Sequence, residues 1–184
     1  GWVSRSGAHI GSAVQFDNSI TSSSSNLSLA HANGDDMTLD FTAGTAKGAY
    51  LYRVDNAANW LVGPAGASHL SRSNHWGVFV AEADGSFDYT NTYNYDGHPD
   101  IQTEANLKLL SRDNAQDLSW TDASATLNTS DNDLEKTGNT SSQQWALASS
   151  SGNSFGVFVL TEHTPVNGKF NVALDGNITL TFSQ

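Results

Sequence analysis

A chain of 184 residues with 19 acidic and 8 basic side chains has a net charge of −11, which excludes the basic footprint that nucleic acid requires and any attraction to an anionic membrane surface. It contains no cysteine, so disulfides, thiolate nucleophiles and Cys-containing zinc sites are excluded too. The length suits one domain with a proper hydrophobic core.

Only 15% of the residues are charged, with four Glu and four Lys, and Ser, Thr, Asn and Gly take their place. That mixture suits short strands and tight turns and suits long helices poorly. No apolar run approaches the ~20 residues of a membrane-spanning helix, so no membrane insertion is expected. The sequence opens on Gly1 and not on Met, as a processed mature protein or an excised piece does.

In chain order, Leu27 and Leu29 alternate with polar residues, as do Met37, Leu39 and Phe41. A period of two predicts strands, and the serine run 22–25 reads as a loop, not a domain boundary. Residues 48–54, GAYLYRV, predict another strand. Residues 55–73 read as a loop around GPAG with Trp60 and Leu61 tucked beneath it, the alternative being a helix of barely two turns over 54–61.

Residues 77–82 predict a strand, Asp84-Gly85 a hairpin turn, and 87–95 a second strand with Phe87, Tyr89, Asn91, Tyr93 and Tyr95 in alternation. Residues 103–112 contain several helix formers, but the Leu107/Leu109 alternation and the Arg-Asp-Asn turn that follows favour a strand. Leu107, Leu109, Trp120, Leu127, Leu134, Trp145 and Leu147 predict core anchors on successive short strands. A second hairpin is expected from 156–161 and 169–174 around Asn167-Gly168. Ile178, Leu180 and Phe182, alternating with polar residues, predict a last strand.

Two segments say nearly the same thing. Residues 76–97 read WGVFVAEADGSFDYTNTYNYDG and residues 155–176 read FGVFVLTEHTPVNGKFNVALDG. Either the chain carries a duplication, or a β-sandwich has used one hairpin solution twice. On the second reading Phe79 and Phe158 are equivalent core anchors, and Gly77 and Gly156 allow close approach.

The runs Tyr-Arg-Val-Asp (52–55), Gly-Val-Phe-Val (77–80), Tyr-Asn-Tyr-Asp-Gly-His (93–98), Leu-x-Leu-x-x-Arg-Asp-Asn (107–114) and Trp-Thr-Asp (120–122), with Ala-Thr-Leu-Asn-Thr (125–129), form a distinctive set. Over roughly residues 25–150 the sequence resembles a recurrent β-rich region of large secreted surface proteins of Bacteroidota-type bacteria. Those proteins often carry a sorting domain for type nine secretion and sometimes laminin-G-like modules. The resemblance implies an extracellular or cell-surface module without assigned catalysis, and it transfers no site residue. The last ~35 residues depart from it, with a hairpin and a strand where a linker is expected.

The chemistry-bearing residues give few constellations. The six histidines show no His-x-x-x-His or His-Glu-x-x-His spacing. The nearest approach to a nucleophile elbow, GASHL at 66–70, lacks its second glycine and its helix. Glu82, Glu104, Glu135 and Glu162 leave a glycosidase pair open in principle, but no sugar cleft is indicated. Two Asp-rich turns, one with Asp96 and Asp100 and one with Asp131, Asp133 and Glu135, offer the hard oxygens calcium takes, although neither fits the EF-hand loop. Such residues also punctuate ordinary turns. Trp60, Trp76, Tyr89 and Tyr93 are candidates for stacking on sugar rings, against the alternative that they line the core.

The expectation is therefore a single all-β domain over 1–184, an antiparallel β-sandwich of jelly-roll or immunoglobulin-like type with little or no helix. Its expected role is non-enzymatic, structural or adhesive, at the cell surface or outside the cell, with no cofactor unless calcium. Its expected partner is itself, through strand exchange involving Ile178, Leu180 and Phe182 and leading to a filament or surface layer. The alternative is a carbohydrate-binding module whose partner is a surface glycan.

Overall fold

The computed structural model describes residues 13–17, 20–21, 26–32, 34–58, 66–83, 87–150, 159–164 and 179–183. Their strands, in chain order, are β1 (Ala13–Asp17), β2 (Ile20–Thr21), β3 (Asn26–Leu29), β4 (Asp36–Ala43), β5 (Thr45–Val54), β6 (His69–Leu70), β7 (His75–Ala83) and β8 (Asp88–Asn94). There follow β9 (Leu107–Arg112), β10 (Thr121–Asp122), β11 (Thr126–Asn128), β12 (Asp133–Asn139), β13 (Gln143–Ser149), β14 (Val159–Thr164) and β15 (Thr179–Ser183). No helix occurs among the described residues, and within 103–112 residues Leu107–Arg112 form strand β9.

Strands β1 to β13 form two packed antiparallel sheets. One has the order β1-β5-β7-β13-β9-β10, with β2 also paired to β5 and β6 to β13; the other has the order β11-β12-β8-β4-β3. The chain changes sheet repeatedly. Between β4 and β5 it does so at a single residue, Gly44, whose φ of 80° suits glycine and few others. Met37, Leu39, Phe41, Tyr89, Tyr93 and Leu134 of one sheet meet Leu51, Trp76, Val78, Leu109, Trp145 and Leu147 of the other in one buried cluster. The expected anchors Leu107, Leu109, Trp120, Leu134, Trp145 and Leu147 are all buried, and Leu127 is partly so. The fold is a β-sandwich.

Two sequence expectations are corrected. The first repeated segment is not a hairpin. Strand β7 pairs with β5 and β13, and β8 pairs with β4 and β12, so the two belong to different sheets. Asp84 and Gly85, the expected hairpin turn, lie outside the described residues; an Asp-Gly pair in a sequence does not by itself say that its two flanking strands pair with each other. In the second segment, β14 pairs antiparallel with β15; Gly156, Phe158, Asn167, Gly168 and the expected partner strand 169–174 lie outside the described residues.

Phe79 is the other correction. With Trp76 and Val78 facing inward, period two puts Phe79 on the outer face, half-buried, with its ring 6.2 Å from Tyr50. The expectation for Gly77 holds. A Cβ there would overlap the Tyr52 ring, which lies across it. The core anchor of β7 is Trp76, three residues before Phe79 and therefore on the opposite face of the strand.

Candidate functional site

The densest polar arrangement lies at one end of the sandwich, and strand interruption builds it. Residues 68–78 run beside β13, held by Ser68 N–H to Ser149 O at 2.8 Å, Ser71 N–H to Leu147 O at 2.8 Å, and then the β7 ladder. Residues 72–74 leave that line and carry Ser73 and Asn74 toward the end of the other sheet. There the turn before β4 supplies Asp35, the end of β5 supplies Arg53, the end of β8 supplies Tyr93, and the loop after β8 supplies His98.

Asp35 is fully buried. Its Oδ2 accepts from Arg53 Nη2 at 3.1 Å and from the Asn74 amide, and its Oδ1 accepts the Tyr93 hydroxyl. Arg53 Nη1 also stands 2.5 Å from Asp55 Oδ1, an ion pair without hydrogen-bond angles, and the guanidinium carbon lies 5.6 Å from the centre of the Trp76 ring. Burial holds the Tyr93 hydroxyl protonated well above the usual tyrosine range, and the neighbouring Asp35 carboxylate adds to this. Breaking such a buried pair by removing one member leaves an uncompensated charge, at a cost of about 3–5 kcal/mol.

His98 is buried beside this group and held in one tautomer. Its Nδ1 accepts the Asp100 N–H at 3.2 Å, so its Nε2–H donates to Ser71 Oγ at 3.0 Å. Burial lowers its pKa, with Asp35 and Asp100 opposing and Arg53 assisting. A serine nucleophile needs the reverse polarity, with the imidazole accepting the hydroxyl proton. The arrangement ties the turn before β4, the residues before β7 and the loop after β8 together. Sequence reasoning missed it, although one signal was available: Arg53 follows Leu51 at the inward positions of a strand, where a charge requires a buried partner.

The Asp-rich turns come partly together. Asn132 Nδ2 donates to Asp96 Oδ1 at 2.8 Å, and Asn94 Nδ2 to Asp131 O at 3.0 Å, which stitches the β8 exit to the β11–β12 turn. Asp133 titrates higher than an ordinary aspartate through burial and then the charges of Asp131 and Glu135. Asp100 is drawn elsewhere, to the hydroxyl of Ser73. Among the described residues no group of three or more His, Asp or Glu is placed to hold a metal ion. One carboxylate oxygen each of Asp96, Asp131 and Asp100 accepts from Asn132, Asn128 and Ser73 respectively.

Three of the four residues weighed between glycan stacking and the core belong to the core. Trp76, Tyr89 and Tyr93 are fully buried, with Trp76 and Tyr93 packed at 6.0 Å between ring centroids and Tyr89 packed at 5.6 Å on Phe41. A ring inside the core has no face to offer a sugar. The inward positions of Tyr89 and Tyr93 follow from the alternation of β8, and that of Trp76 from the alternation of β7 with Val78. Trp60 and Ile178 lie outside the described residues, while Leu180 and Phe182 lie on β15, which pairs antiparallel with β14 in a separate two-stranded sheet.

The fold and this end cluster define a two-sheet antiparallel sandwich closed by a buried polar lock. No protein-family model, curated protein or solved protein structure matches the chain.

Proposed function

We propose that this chain is a non-enzymatic structural or adhesive module of an extracellular or cell-surface protein, which assembles with copies of itself by pairing β-strands. The observation that carries this reading is the β14–β15 ribbon. Among the described residues its two strands pair with each other and with neither sandwich sheet. A two-stranded ribbon by itself is marginal in water, and an edge that the described residues leave unpaired carries backbone donors and acceptors that another chain can satisfy. The acidic surface and the absence of cysteine fit a soluble partner-binding module outside nucleic-acid chemistry. The glycan-binding alternative has lost three of its four ring residues to the core.

The test is sedimentation and electron microscopy of the whole chain beside a Thr181→Pro variant. Proline at this position removes a ladder donor and disfavours the paired strand. Assembly by the natural chain, lost in the variant while sandwich tryptophan fluorescence is kept, is the expected result. A natural chain that stays monomeric at every concentration overturns the reading.

A further inference from the structure

Resting on that reading, we infer that the self-contact is a closed twofold pairing of β15 with β15 of a second copy, giving a four-stranded sheet β14-β15-β15-β14. The two strands of the ribbon differ as edges. Strand β14, VLTEHT, contains Glu162 and His163, and β15, TLTFS, contains no charged residue. Charge on an edge strand opposes further pairing, so β15 is the edge left permissive.

The sequence of β15 is also self-complementary. In antiparallel pairing about a twofold axis through Thr181, Thr181 stands opposite its own copy, Leu180 opposite Phe182, and Thr179 opposite Ser183. Apolar therefore meets apolar and hydroxyl meets hydroxyl at every position of the strand, the cross-strand matching that stabilises antiparallel sheets. Shifting the register by one residue sets Leu180 or Phe182 against threonine. In the natural register β15 pairs Leu180 with His163 and Phe182 with Leu160 across the ribbon, so its second edge is the one that completes an apolar match on both residues. A contact in which each copy uses the same strand is isologous and closes at two subunits. It excludes the open filament that head-to-tail strand exchange would build.

The chain has no cysteine, which makes a single Thr181→Cys substitution a direct probe. Residues opposite each other in an antiparallel pair stand close enough to bridge. The full-length Thr181→Cys variant is oxidised and analysed by non-reducing electrophoresis, with Thr164→Cys on β14 as the control, and the natural chain is examined by light scattering across a concentration series. A dimer in solution, and covalent dimer from Thr181→Cys in large excess over Thr164→Cys, is the expected result. A Thr181→Lys variant, which sets two ammonium groups opposite each other, raises the dimer dissociation constant at least tenfold. Open polymers, or a dimer cross-linked equally well from Thr164→Cys, overturn the twofold β15 contact and leave self-assembly standing. A monomer at all concentrations overturns both.

Discussion

The outer faces of the two sheets are built on different rules. The β11-β12-β8-β4-β3 sheet turns Asn26, Ser28, Thr38, Asp40, Thr90, Thr92, Asn94 and Glu135 to the solvent side, with β3 and β8 alternating throughout and β4 as far as Phe41. The other sheet is buried on both faces along β9 and β13. Leu110, Trp120, Ala146 and Ala148 form a second small cluster there with Ala58, and Ala67 and Leu70 pack against it. Beside that cluster runs a chain of planar groups. Trp120 lies 4.4 Å from the Arg112 guanidinium carbon, Arg112 Nε donates to Gln144 Oε1 at 2.8 Å, and Gln144 Nε2 donates to the Tyr52 hydroxyl at 2.9 Å over Gly77. One face is finished by water and the other by the protein's own loops, so equal substitutions on them have unequal consequences.

The largest effect is expected where the sheets meet. Trp145→Ala removes a fully buried indole and costs about 3–5 kcal/mol in urea unfolding. A loss under 1 kcal/mol would show that the shared core is not what joins the two sheets. On the covered outer face, Gly77→Ala forces the Tyr52 ring away from its Gln144 bond and costs about 1–3 kcal/mol. The same substitution made on Tyr52→Ala costs clearly less, because the obstructing ring is gone; full additivity in that double-mutant cycle would break the packing argument.

Acid probes the loops that finish the inner ends of the strands. Burial lowers the pKa of both His75 and His98, with Arg112 also lowering His75. The folded state therefore binds fewer protons than the unfolded state below the ordinary histidine value of 6.5. Their contribution is fully present above that pH and is lost as pH falls toward the depressed folded values. Urea midpoints should drop between pH 7.5 and pH 5, and a midpoint that rises over this range contradicts the buried neutral imidazoles. The smallest effect belongs to the solvated face. Thr92→Ala is expected within about 0.5 kcal/mol of the natural chain, and a larger loss would mean that this face is covered as well.

The contrast also explains what could be read without coordinates. Met37, Leu39, Phe41, Tyr89, Tyr93 and Leu134 were legible because a sheet wet on one side writes its burial as a period of two. Strand β13 was harder: QQWALAS has no polar alternation, since loops cover its second face, and only its tryptophan and leucine stood out. Tyr89, Tyr93 and Trp76 were identified as one aromatic set, but the period alone does not say which face is the inside one.

Composition and local pattern by themselves determined the all-β class, the positions of most central strands and most of the core anchors, because these depend on intervals of two residues and on turn chemistry. Tertiary structure decided which strand pairs with which, that β7 and β8 lie in different sheets, that Phe79 faces out while Trp76 faces in, and that Asp35, Arg53, Asn74, Tyr93 and His98 converge from five places in the chain. Those contacts span up to 58 residues between hydrogen-bonded partners, and backbone pairing is the same chemistry for every strand. Only the requirement that two particular faces bury each other selects among the possible partners.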